Sequence, residues 1–228
     1  IKINMFWYKH LDFKNSVSFS LRVCGEYEIA GLDSGDKEMF LMQRCAWADS
    51  SPAMQAYHDN EWGRPQHNQQ RLFELLCLET YQAGLSWQTV LNKRAAFNED
   101  FADYDVDQVA AMTTADVERL LTDARIIRHR QKLMATINNA RVIRDWPAGE
   151  DFATWLWAFV DNQPIRQAWA SIDEVPATND LAQQVSKEMK RRGFKFVGPT
   201  TIYSYLQATG LINDHVVDCP FAPENLPA

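Results

Sequence analysis

Two thiols and two imidazoles stand near opposite ends of one long stretch of sequence. Cys45 and His58 lie thirteen residues apart, and His215 and Cys219 lie four apart. Thiolate and imidazole together suit tetrahedral zinc. With all four positions filled by protein there is no open place for water, so one such ion would be structural. It would tie the two ends of a domain together and remove unfolded-state entropy. The spacing leaves a plainer reading open, two buried cysteines and two core or surface histidines, because Cys-x12-His lacks the short interval usual in zinc fingers. A catalytic zinc is disfavoured: the sequence has no His-Glu-x-x-His, and no Cys-x-x-Cys paired with His-x-Glu.

A second candidate is Glu79, in the apolar run LCLETYQAGLSW. An unpaired carboxylate buried there would have a raised pKa, so it needs a partner or a pocket. Trp47, Tyr57, Trp62 and Trp87 are close in sequence. A flat cationic ligand stacked on such rings, with a carboxylate at its edge, is held by cation-π attraction and hydrogen bonding. The competing reading is a tryptophan-rich core with a helix-capping glutamate. The third candidate is the turn RRGFKFVGPTT. Gly198 permits a tight turn, Pro199 presets the first helical residue, and the helix start that follows attracts phosphate. Arg191, Arg192 and Lys195 add positive charge before it. An ordinary turn between two core helices is the alternative there.

These residues need helices to hold them, and helical periodicity dominates from Met42 onward. Leu72, Leu75, Leu76 and Glu79 share a face of a helix expected over residues 69–83, stopped by Gly84. Ser86 is placed to cap a helix running to Phe97. Asp105 and Thr113 or Thr114 open two short helices that reach Ala111 and Leu121. A longer one is expected from Ile127 to Arg144, a buried aromatic one after Asp151, and one from Asn179 to Arg192 ended by Gly193. The loop around Pro164 and Pro176 reads as irregular. His215 and Cys219 would face one ion if they occupied one helical turn. The proline-bearing tail after Cys219 is expected to run extended over the surface.

With 46% hydrophobic residues in 228, the chain can bury a substantial core. No apolar run is long enough for a membrane span. A formal net charge of -7 excludes bulk coating of nucleic acid but not a local basic footprint, and positive charge does cluster at Arg125, Arg128, His129, Arg130 and Lys132 and from Lys187 to Lys195. Cys24, Cys45, Cys77 and Cys219 form no closely spaced ladder, which favours a reduced, cytoplasmic setting over disulfides. Residues 1–41 lack sustained periodicity and read as an N-terminal extension or a start-site artefact, poorly ordered, with residues 42–228 as the working domain.

Five separated segments carry a family resemblance: RCAW (44–47), YHDNEWGRP (57–65), LFELLCLETYQAGLSWQTVL (72–91), IIRHRQKL (126–133) and RGFKFVGPTTIYSYLQATGLINDHVVDC (192–219). In that order they resemble the DNA-3-methyladenine glycosylase I family of helix-hairpin-helix repair enzymes. The resemblance implies an all-α fold with a DNA-facing cleft, in which FKFVGPTT forms the hairpin and Lys195, Gly198 and Thr200 meet the backbone of double-stranded alkylated DNA. It implies one structural zinc on Cys45, His58, His215 and Cys219, and a base pocket of Glu79, Tyr57 and Trp87 walled by Trp47. The implied reaction is hydrolysis of the N-glycosidic bond of 3-methyladenine by a monomer without lyase activity, with Glu79 as the catalytic residue. Asp214 is expected to orient His215 or cap a turn. A non-catalytic DNA-binding module would keep the hairpin and the zinc but not need the Glu79 pocket, and a catalytic zinc hydrolase would leave one ligand position open.

Overall fold

The computed structural model describes residues 43–222 and Asn225, so the expectation for residues 1–41 lies outside the described residues. The chain is mostly helical, and its helices begin where side chains can accept from free N–H groups. After a 3-10 turn at Ala46–Ser50, α1 (Pro52–Asn60) starts at Ser51, whose side chain accepts from Met54 N, and α2 (Gln69–Gln82) starts at Asn68, which accepts from Arg71 N. Ser86 caps α3 (Trp87–Leu91), but the helix expected to reach Phe97 breaks at Asn92 and resumes as α4 (Arg94–Asp100). Asp105 caps α5 (Val106–Ala111), and Thr113 with Asp116 forms a capping box on α6 (Thr114–Leu120). The long helix α7 (Arg130–Arg144) begins after the His129 cap, three residues later than the sequence predicts. Asp151 caps α8 (Phe152–Trp157), Asn179 caps α9 (Asp180–Arg191), and Pro199 opens α10 (Pro199–Ala208).

The all-α expectation needs one amendment. Two short strands, β1 (Ile165–Arg166) and β2 (Ile212–Asn213), pair in parallel, Ile165 with Ile212 and Arg166 with Asn213. They lock the irregular Pro164 loop to the segment that follows α10. The His215 to Cys219 segment is also not helical; a turn closed by Cys219 N to Val216 O, 2.9 Å, brings those residues together instead. Nor does the tail simply run over the surface: Ala222 is buried, and Asn225 donates to the carbonyls of Val217 and Cys219 at 2.9 and 2.8 Å.

Helix α2 is the centre of the fold. Every side chain from Leu72 to Tyr81 is buried, and α2 packs on α3, α7, α8 and α10. An aromatic column of Tyr81, Phe97, Phe101 and Tyr104 supports one flank, with Tyr81 and Phe97 stacked at 4.2 Å and 17°. Glu74, buried on α2, is satisfied by Arg71 and by Arg94 Nε at 2.7 Å, and both arginines also reach Glu61. The C-terminal end of α2 has no basic residue in its own last turn. Lys132 of α7 supplies the cation, its Nζ donating to the carbonyls of Tyr81 and Ala83 at 2.9 and 2.6 Å.

The two ends of the domain meet where the chain after α1 crosses the chain after α10. Gly63 N donates to Gln207 O at 2.9 Å, Gln66 N to Thr209 O at 3.0 Å, and Asn213 Nδ2 to Gly63 O at 3.2 Å. Gly210, at φ +73°, lies against Arg64 so closely that an added Cβ would stand 2.2 Å from the Arg64 carbonyl carbon. Neither the dihedral nor the space admits a side chain. Gly210→Ala should therefore destabilise the fold by more than about 3 kcal/mol, read as a lower urea midpoint at unchanged m-value, whereas Gly84→Ala, with open space around it, should lose only what its positive φ requires.

Candidate base pocket, metal cluster and hairpin

Consecutive residues of α1, Tyr57 and His58, belong to two different clusters. Tyr57 packs on Trp87 of α3, ring centroids 5.0 Å apart and tilted by 57°, and the buried Glu79 of α2 is near enough for its charge to act on Tyr57. Glu79 is 5% exposed, its Oε2 is buried with no hydrogen-bond partner, and burial pushes its carboxyl up to about 8. The indole N–H groups of Trp47 and Trp87 are also buried and unpartnered. These three polar atoms are thus buried without a protein partner, where such groups are ordinarily hydrogen-bonded. A base stacked between Tyr57 and Trp87 needs roughly twice a 3.5 Å contact between the ring planes. The observed separation is smaller, so a flat ligand must part these rings or lie on one outer face.

His58 points into the other cluster. Cys45 Sγ, a ring nitrogen of His58 and Cys219 Sγ all lie within 4.8 Å of one another, and all three residues are buried. His58 Nε2 is 3.5 Å from Cys219 Sγ. The His215 ring lies 4.7 Å from that of His58, and its Nε2 is buried with no partner. The tautomers are set by the opposite nitrogens: His58 Nδ1 is 2.8 Å from Asp59 Oδ1, and His215 Nδ1 is 3.0 Å from Asn213 Oδ1. Donation to those oxygens leaves both Nε2 lone pairs free, the arrangement that metal-bound imidazoles show. Burial and the neighbouring His58 pull His215 down to about 3, so it is neutral. Hydrogen bonding between the two sulfurs lowers Cys219 and raises Cys45, leaving the negative charge on Cys219. Two sulfurs and one imidazole in one dry place could hold a soft metal ion; His215, expected as the fourth ligand, lies beside His58 but outside this group of three. Trp47 stands between the clusters, 6.3 Å from Tyr57 and 5.2 Å from His58.

Helices α9 and α10 pack as a hairpin whose turn is held from below by α7. Asn139 accepts from Lys195 N at 2.8 Å and donates to Lys195 O at 3.1 Å, and Asn138 donates to Gly193 O at 2.9 Å. Lys195 and Thr200 are exposed. Gly198, at φ -65°, has a conformation open to any residue, and a Cβ there would meet nothing within 4 Å. Its backbone turn does not require glycine; the absence of a side chain leaves the start of α10 uncovered.

The family model for methyladenine glycosylases matches residues 47–222. The chain belongs to this family. DNA-3-methyladenine glycosylase 1 of Escherichia coli is 49% identical over 187 residues, spanning 82% of this chain and 100% of its own. The DNA-3-methyladenine glycosylase of Haemophilus influenzae is 41% identical over 181 residues, 79% of this chain and 98% of its own. A crystal structure of a 3-methyladenine DNA glycosylase I shares 48% identity at a TM-score of 0.76, over 79% of this chain and 100% of that one. The Staphylococcus aureus enzyme, solved to explain 3-methyladenine recognition, shares 40% at a TM-score of 0.76, over 80% of this chain and 98% of its own.

Within this family member the structure brings Tyr57, Glu79 and Trp87 together with Trp47 adjoining, and Cys45, His58 and Cys219 together with His215 adjoining. Two expectations change. Asp214 does not orient His215; it is fully buried and accepts from Trp169 Nε1, Tyr203 OH and Gln207 Nε2 at 2.8, 2.6 and 2.6 Å, while Asn213 holds the imidazole. Arg191 and Arg192 add little charge at the hairpin, since Glu188 binds Arg191 and Arg192 lies over the rings of Trp146 and Trp155 at 4.4 and 5.0 Å. Asn139 and Asn213, both buried, and the half-buried Asn138 carry no local signal in the sequence beyond the amide itself.

Glu79 holds its proton more tightly in the folded chain than in the unfolded one, so between 4.5 and about 8 the folded state carries the extra proton. Stability therefore falls as pH rises through that window. In urea titrations the wild type should lose more stability than Glu79→Gln between about pH 5 and pH 8, the slopes differing by up to about one proton per molecule.

Proposed function

We propose that this chain hydrolyses the N-glycosidic bond of 3-methyladenine in alkylated double-stranded DNA, releasing the free base and leaving an abasic site. The observation that carries this reading is the unpartnered Glu79 carboxyl buried beside Tyr57 and Trp87. Methylation at N3 makes adenine cationic and weakens its bond to the sugar, so the enzyme needs to flip the nucleotide and hold the base more than it needs strong acid catalysis. A cation entering the pocket favours the ionised form of Glu79, which then accepts hydrogen bonds from the adenine edge. Tyr57 and Trp87 stack and shape the base, and Trp47 forms a further wall. Bond cleavage yields an oxocarbenium-like sugar that water captures. Lys195 lies on the hairpin, where we assign it with Gly198 and Thr200 to the DNA backbone rather than to a lyase step.

The metal cluster would hold one zinc through Cys45, His58, His215 and Cys219. All four ligands being protein, the ion supplies cross-linking and no chemistry at the base. We infer a monomeric protein of the cytoplasm; among the described residues no helix is long and apolar enough to cross a membrane.

With methylated duplex as substrate, Glu79→Gln should lower single-turnover release of 3-methyladenine by about 100-fold or more, in the range of removing a key polar contact to the reacting group. Its affinity for undamaged duplex should stay within about twofold of wild type, and normal release would remove Glu79 from the site. Elemental analysis should find one zinc per chain, and a chelator should lower the melting temperature by several degrees while base release continues below the new midpoint. Loss of release with the fold intact would instead point to a catalytic metal.

A further inference from the structure

Large apolar side chains exposed among the described residues are Leu85, Met134 and Phe196. Phe196 is the one whose backbone is also in the left-handed region, at φ +58°. The other non-glycine residues there are Asp103, Asp161 and Asn162, types that tolerate it, the buried Tyr104, and Ala102. A residue with a large, half-exposed side chain gains nothing from that conformation by itself.

Its neighbours impose it. Phe194 and Val197 are buried anchors on either side. Asn139 clamps both the N–H and the carbonyl of Lys195, and Ser186 Oγ donates to Val197 O at 2.6 Å. The two clamps fix the chain just before and just after Phe196, and glycine would satisfy the same backbone without strain. Instead a phenyl ring projects from the hairpin, in edge contact with His129 at 6.4 Å between centroids. Lys195 precedes it and Arg128 precedes His129 in the chain; Arg128, His129 and Lys195 are exposed, and Arg128 and Lys195 have no carboxylate within salt-bridge distance among the described residues. An apolar ring set among free cations matches a DNA strand, whose phosphates alternate with apolar sugar faces.

We propose that Phe196 is a DNA-contact residue, its ring packing against the deoxyribose of the strand whose phosphates the hairpin holds, and that the fold retains a strained backbone there to present it. Such a trade of local strain for contact is a recurrent mark of functional positions. The inference rests on the DNA-facing role assigned to the hairpin.

Phe196→Gly separates this role from a structural one, because the two predict opposite signs. Relief of the left-handed strain should raise the melting temperature by about 2–4 °C. Loss of the ring should weaken binding to an undamaged duplex about tenfold. The slope of log affinity against log salt should not change, since no charge is removed, while Lys195→Ala should reduce it by about 0.9. Phe196→Ala should lose the same affinity without the gain in melting temperature, Phe196→Tyr should keep the affinity, and binding of free 3-methyladenine should be unaltered in all three. A fall in melting temperature for Phe196→Gly, or duplex affinity within twofold of wild type for the glycine and alanine variants, would overturn the proposal. An unchanged salt slope for Lys195→Ala would instead reject the hairpin as the DNA-binding element.

Discussion

The crossing of the chain after α1 over the chain after α10 is the constraint on which the rest depends. At Gly210 two backbones approach so closely that no side chain fits, and at Gly63 an added Cβ would stand 3.0 Å from the His215 ring. Three main-chain carbonyls are satisfied across the seam, those of Gly63, Gln207 and Thr209. This contact seats His58 beside His215 and Cys219, and because Tyr57 precedes His58 on the same helix, it also fixes the ring that packs on Trp87. The place of Tyr57 and Trp87 is therefore set by the same junction that assembles Cys45, His58 and Cys219, although no side chain belongs to both groups.

A second framework orders the pocket relative to the DNA surface. Helix α7 reaches both: near its start Lys132 binds the carbonyls that end α2, and near its middle Asn138 and Asn139 hold the hairpin turn. Tyr81 of α2 also meets Thr136 of α7 at 2.8 Å. The helix that carries Glu79 and the hairpin turn that we assign to the duplex are thus indexed to one rigid rod. Flipping a base requires a fixed distance between the phosphate that is held and the pocket that receives the base, and a rod supplies it without a large interface.

Local chemistry made much of this legible in the sequence. Ser86, Asp105, Asp151 and Asn179 cap helices where the sequence predicts, because an N-cap depends only on residues within one turn. Gly84 and Gly193 end helices for the same reason, both at positive φ. What escaped was decided at long range. The break at Asn92 accompanies the ion pairs of Arg94 with Glu61 and Glu74 on other elements, and the late start of α7 follows from His129 acting as its cap. His215 and Cys219 converge through a turn because β2 pairs with β1, a partner chosen from a segment that reads as irregular. The types of residue in the clusters were readable; the partners of Asp214 and of the buried amides were not, since hydrogen bonds across such separations leave no periodic trace.

The contact between His58 and Cys219 joins residues 161 positions apart. During synthesis the N-terminal partner emerges long before the C-terminal one, and the segment between them can fold helix by helix without either cluster being complete. Tyr57, next to His58 on α1, then lacks the support of the junction until the segment after α10 has been made. A chain lacking the segment after α10 would keep the α9–α10 hairpin but lose the contacts that seat His58. A junction of such long sequence separation is among the last parts of the fold to close.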